Sequence, residues 1–103
     1  SDENLAAYQQ QFEVPRGFKS VDDMLDEIKP DVVSIGTYVG LHRTFIEACA
    51  RGGVRGIICE KPFLTSPADV APVKKVVEET GVKLVVAHIR RYRPACERVA
   101  ELM

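Results

Sequence analysis

Three short apolar runs constrain this chain more than any other feature. "DVVSIG" (31–36), "RGIICE" (55–60) and "KLVVAH" (83–88) are rich in β-branched residues and bounded by turn formers, so each reads as a strand. The segments between them carry helical spacing. After the first run, Leu41, Phe45, Ala48 and Cys49 trace one helical face, and Gly52 and Gly53 are placed to end it with positive φ. After the second, Ser66 caps a helix with Pro67 at its first position and Asp69 at its third. Val70, Val73 and Val77 face inward, and Gly81 closes the helix. Strand, helix, strand, helix, strand predicts an α/β fold with a parallel sheet and right-handed crossovers. The first of these runs, "DVVSIG", is typical of a strand buried on both faces.

The flanks extend the pattern. In "SVDDMLDEIK", Ser20 is an N-cap with Asp23 three residues on, and Val21, Met24, Leu25 and Ile28 line one face before Pro30 stops the helix. Leu5, Tyr8 and Phe12 predict a helix at the front, and "GFK" (17–19) a very short further strand, for a sheet of three to four. Pro94 opens a last helix with Cys96, Val99, Ala100 and Met103 on one face.

Length and charge limit the function classes. A chain of 103 residues is read as one domain, 1–103. With a net charge of -1, nothing points to nucleic acid or to a membrane surface. No apolar run approaches the roughly 20 residues a membrane helix needs, and the acidic, polar start is not a signal peptide. Cys49, Cys59 and Cys96 fit neither a zinc spacing nor a disulfide framework, which leads to the expectation of reduced thiols and a cytoplasmic protein without a metal site.

In parallel sheets, ligands bind beyond the carboxyl ends of the strands. Glu60 and Lys61 sit there, after the second run. A lysine at that place can hold a substrate hydroxyl or steady charge developing on oxygen; the same pair also reads as a solvated turn. Pro62 stiffens that turn and is a candidate for a cis bond. In "TYVGLH", Thr37 is placed to meet a ligand, and His42 is either a proton donor or a structural residue. At "HIRRYRP", His88 ends a strand, and Arg90, Arg91 and Arg93 form either an anion site or a solvated turn anchored by Tyr92. Cys59 reads as a core residue, since cysteine is commonly buried.

Taken together, "DVVSIGTYVGLH", "GVRGIICEKPFLTS" and "GVKLVVAHIRRYRP" resemble the Gfo/Idh/MocA family of NAD(P)-dependent oxidoreductases, which act mostly on sugars, inositols and related polyols. The resemblance runs from Leu5 to Met103, with Glu60-Lys61-Pro62 its most specific element. It implies a Rossmann-like fold. It also implies that Lys61 is the catalytic residue between nicotinamide and substrate, with Glu60 and Pro62 at the cofactor side. Thr37 and His42 match the family's Thr-Pro-x-x-x-His segment beside the cofactor, with Tyr38 standing where the family has proline. His88 and Arg91 match residues near the nicotinamide end of the site.

The family's opening G-x-G-x-x-G turn is not in these 103 residues, nor is its C-terminal substrate domain with an Asp-x-x-x-His pair. The expectation is therefore a partial Rossmann-like domain without its first βαβ unit. It is a truncated relative that binds neither NAD nor NADP by itself and is not catalytically competent alone. Two alternatives stand beside it: a small self-associating or partner-binding protein, and an enzyme subunit completed by another polypeptide. In the family's sheet order 3-2-1-4-5-6, "DVVSIG" would lie beside the missing first strand. Its bare edge, next to Val32, Val33 and Ile35, predicts a homo-oligomer, in the simplest case a two-fold dimer.

Overall fold

The computed structural model describes residues 2–103. Its elements are α1 (Asp2–Phe12), α2 (Val21–Ile28), β1 (Val32–Ile35), α3 (His42–Arg51), β2 (Gly56–Cys59), α4 (Val70–Thr80), β3 (Lys83–Val86) and α5 (Pro94–Glu101). Short 3₁₀ turns precede α3, α4 and α5. The three strands form one parallel sheet in the order β1-β2-β3, so the fold is the α/β arrangement predicted from the alternation. The "GFK" stretch is not a strand: it pairs with nothing in the sheet and runs as a loop between α1 and α2.

The strands are not buried on both faces. Along β1, Val32 and Ser34 are exposed while Val33 is half-buried and Ile35 buried; along β2, Ile57 and Cys59 are buried and Ile58 is 44% exposed. Register aligns these rows, Val33–Ile57–Leu84 and Ile35–Cys59–Val86 on the covered face, Ser34–Ile58–Val85 on the open one. The cause is topological. The strand order advances in one direction, so two right-handed crossovers place α3 and α4 on the same side of the sheet. The core therefore lies between the sheet and α3 with α4, and is centred on Ile46, Cys49, Ile57, Cys59, Val73 and Val76.

Helix faces follow that geometry. In α3 the buried stripe is His42, Ile46, Cys49 and Ala50, with Phe45 and Ala48 only half-buried and Leu41 exposed. In α4 the buried residues are Val73 and Val76; Val70, expected to face inward, is exposed, because the chain there is still leaving its 3₁₀ turn. Ser66 caps that turn by accepting from the Ala68 N–H at 3.2 Å. The Asp69 carboxylate reaches the Arg43 guanidinium instead, at 2.9 Å, which ties the start of α4 to α3. Ser20 caps α2 as expected, accepting from the Asp23 N–H at 3.3 Å, and Lys29 ends it in the left-handed region. Of the glycine pair after α3, only Gly53 has positive φ, at 84°. Val33 and Ile35 point to the core, so Val32 is the exposed apolar residue on the bare β1 edge. The apolar face of α5 is exposed throughout.

Candidate functional site

The carboxyl ends of β1, β2 and β3 lie side by side. Backbone bonds hold the three exits together: the Glu60 N–H donates to the Ile35 carbonyl at 2.9 Å, and the Ala87 N–H to the Cys59 carbonyl at 2.8 Å. The chain leaves β2 through Glu60, Lys61 and Pro62, and the Lys61–Pro62 peptide bond is cis. Glu60 folds back locally, its carboxylate accepting from the Lys61 backbone N–H at 3.0 Å. The Lys61 side chain is left exposed and outside every ion pair among the described residues.

A cleft of about 770 Å³ opens at these strand ends. Lys61 and Pro62 line one side of it. His88 and Arg91 line it from the segment after β3, together with Arg90 and Arg93. Four of the candidate residues, Lys61, Pro62, His88 and Arg91, are thus brought to one place. Thr37, His42 and Glu60 are not among the cleft-lining residues.

Thr37 and His42 belong to a second arrangement, one strand over. His42 opens α3 and is 1% exposed. Its Nε2 lies 3.0 Å from the Thr37 carbonyl and its Nδ1 lies 3.1 Å from the Phe63 carbonyl. The ring therefore links the loop after β1 to the loop after β2, two residues beyond Lys61. A neutral imidazole has one donor nitrogen, so it serves one of these carbonyls at a time.

Other titratable groups near the site are structural. Burial pushes the Cys59 thiol up, with the neighbouring Glu60 charge adding to it, so a thiolate nucleophile is disfavoured there. Burial likewise raises Cys49. Glu47 is held below the usual carboxylate range, first by its hydrogen bond from Arg43 at 2.9 Å, with Arg51 adding a second at 3.1 Å. That pair of bonds belongs to the outer surface of α3.

The three-stranded parallel sheet with α3 and α4 on one face is half of a Rossmann-type fold. The family model described as "Oxidoreductase family, NAD-binding Rossmann fold" matches residues 1–88, and the chain belongs to that family, Gfo/Idh/MocA. The D-xylose 1-dehydrogenase (NADP(+)) 2 of Haloferax volcanii is 34% identical over 90 residues, covering 87% of this chain and 27% of that protein. The D-apiose dehydrogenase of Paraburkholderia graminis is 34% identical over 101 residues, covering 98% of this chain and 27% of its own. Among solved structures, the WlbA dehydrogenase of Chromobacterium violaceum, in complex with NADH and UDP-GlcNAcA, superposes with a TM-score of 0.92 at 26% identity, over 100% of this chain and 29% of that one. The chain thus spans under a third of the length of each of these relatives.

Proposed function

We propose that this chain forms the nicotinamide-facing half of the cofactor domain of an NAD(P)-dependent dehydrogenase acting on sugars or polyols, and that these 103 residues alone are not catalytically competent. The supporting observation is the position of Lys61, at the end of the central strand on the cis-proline turn, lining the same cleft as His88 and Arg91. An ammonium there can donate to a substrate hydroxyl and stabilise negative charge on its oxygen. Glu60 and Thr37, at neighbouring strand ends, would hold the ribose and nicotinamide side of NAD or NADP. That cofactor, when bound, supplies the hydride acceptor.

These residues fit one end of a dinucleotide. The pyrophosphate needs a glycine-rich turn at a helix N-terminus, and the seven glycines of this sequence make no G-x-G-x-x-G. Calorimetric titration of the chain with NADH and NADPH is therefore expected to show affinity weaker than micromolar, that is, weaker than about -8 kcal/mol. Assays with sugars and polyols are expected to show no rise in NADH absorbance. Micromolar binding, or a rise abolished by Lys61→Ala, would favour the reading as an enzyme subunit completed by another polypeptide.

The β1 edge favours a second reading, self-association as a two-fold dimer. Among the described residues β1 pairs with β2 alone, so its other side carries unpaired backbone groups beside Val32, which is 60% exposed. Edge-to-edge pairing of two copies would give a six-stranded sheet with antiparallel strands at its centre. Sedimentation at low micromolar concentration is expected to give a dimer, reduced by Val32→Lys to the 11.4 kDa monomer. A wild-type monomer refutes this reading.

A further inference from the structure

The structure assigns the cleft beyond β2 and β3 to an anionic group, a carboxylate or phosphate ester carried by the substrate. The chain holds eight arginines. Arg43, Arg51, Arg55 and Arg98 each lie within 3.2 Å of a carboxylate, and Arg16 pairs with Glu27. The remaining three, Arg90, Arg91 and Arg93, have no carboxylate within ion-pair distance among the described residues, and all three line this one cleft with Lys61. Carboxylates are not scarce, since the chain has 15 acidic residues against 14 basic ones. Yet among the described residues no Asp or Glu lines the cleft. The acid next to Lys61, Glu60, has one carboxylate oxygen on the Lys61 backbone N–H.

The backbone gathers these charges. Residues Ile89–Tyr92 form a 3₁₀ turn, and the Arg93 N–H donates to the Arg90 carbonyl at 3.2 Å. Arg93 follows the turn in an extended conformation, and Arg90, Arg91 and Arg93 all reach the cleft wall. A guanidinium presents a planar fork that matches a carboxylate or phosphate by two parallel bonds. Four cations around one cleft repel one another until an anion enters.

The anion site stands on the cleft alone; assigning its ligand to the substrate rests on the dehydrogenase reading above. The test is a titration of the ¹⁵N-labelled chain, at constant ionic strength, with inorganic phosphate, D-glucuronate, D-glucose and nicotinamide mononucleotide. Phosphate and glucuronate are expected to shift the Ala87–Arg93 amides saturably in the millimolar range, and glucose at the same concentrations to leave them unmoved. In Arg90→Gln/Arg93→Gln the affinity is expected to fall about tenfold or more, as for loss of charged hydrogen bonds, with the remaining shifts unchanged as the sign of an intact fold. No saturable shift with either anion, or an unaltered one in the double variant, overturns the site. Nicotinamide mononucleotide displacing glucuronate from these same residues at lower concentration gives the anion to the cofactor and overturns the assignment to substrate. Failure of the dehydrogenase reading shows elsewhere: a protein that carries the complete family domains would lack turnover while the anion shifts persist.

Discussion

Ile57→Ala is expected to cost about 2–5 kcal/mol of folding stability, and Ile58→Ala, one residue on, about 1 kcal/mol or less. The two isoleucines have the same chemistry and adjacent places on the central strand. Ile57 is 1% exposed and sits between Val33 and Leu84 on the covered face, with α3 packed against its strand and Val73 and Val76 of α4 in the same core cluster. Removing its side chain leaves a cavity that backbone hydrogen bonds on both sides prevent from collapsing. Ile58 is 44% exposed and points to the open face between Ser34 and Val85. Its loss removes little buried surface. A domain of this size has a total stability of about 5–15 kcal/mol, so the first variant should be near unfolding at room temperature and the second close to wild type. Urea unfolding followed by far-UV circular dichroism measures both. Equal losses at the two positions would mean that another surface covers the open face in solution, and the one-sided architecture would be wrong.

That pair also marks where the sequence stops being informative. The run "RGIICE" announces a strand, because only a strand is that short, that apolar and that well bounded. It cannot say which isoleucine meets the helices, since a continuous apolar run loses the period-two signal that sorts faces. The same limit appears in α4, where Val73, Val76 and Val77 are chemically alike and the structure buries the first two most deeply. One-sidedness itself was open to inference: a strand order that advances in one direction puts every right-handed crossover on one face.

Site residues behave likewise. Residue type and position at a strand end pick out Lys61 and His88; Arg91 is set apart from Arg90 and Arg93 only by the family resemblance. What separates Arg90, Arg91 and Arg93 from the other arginines is the absence of a carboxylate within ion-pair distance among the described residues. Partners such as Asp69 for Arg43 and Asp31 for Arg55 lie more than twenty residues away in sequence. Such pairings are set by tertiary packing and have no local signature.

His42→Leu is expected to destabilise the chain by about 1–3 kcal/mol, the cost of leaving a hydrogen-bonding group unserved away from water, here at part-buried bonds, and to loosen the turn that carries Lys61. The ring is 1% exposed and spans the Thr37 and Phe63 carbonyls, so it acts as a strut between two strand-end loops. Two conservative variants separate the two carbonyls it can serve. The amide nitrogen of Asn reaches about as far as Nδ1, and that of Gln about as far as Nε2. His42→Asn therefore retains a donor toward Phe63, and His42→Gln one toward Thr37. If the Phe63 tie holds the Lys61 turn, amide exchange at Lys61, Phe63 and Leu64 should stay near wild type in His42→Asn. It should rise in His42→Gln and in His42→Leu, with Gly36 and Thr37 responding in the opposite sense between the two polar variants. A general loss of packing would raise exchange across α3 and β2 in all three variants alike. Wild-type stability in His42→Leu, or indistinguishable exchange at residues 61–64 in the Asn and Gln variants, would remove His42 from any part in placing Lys61.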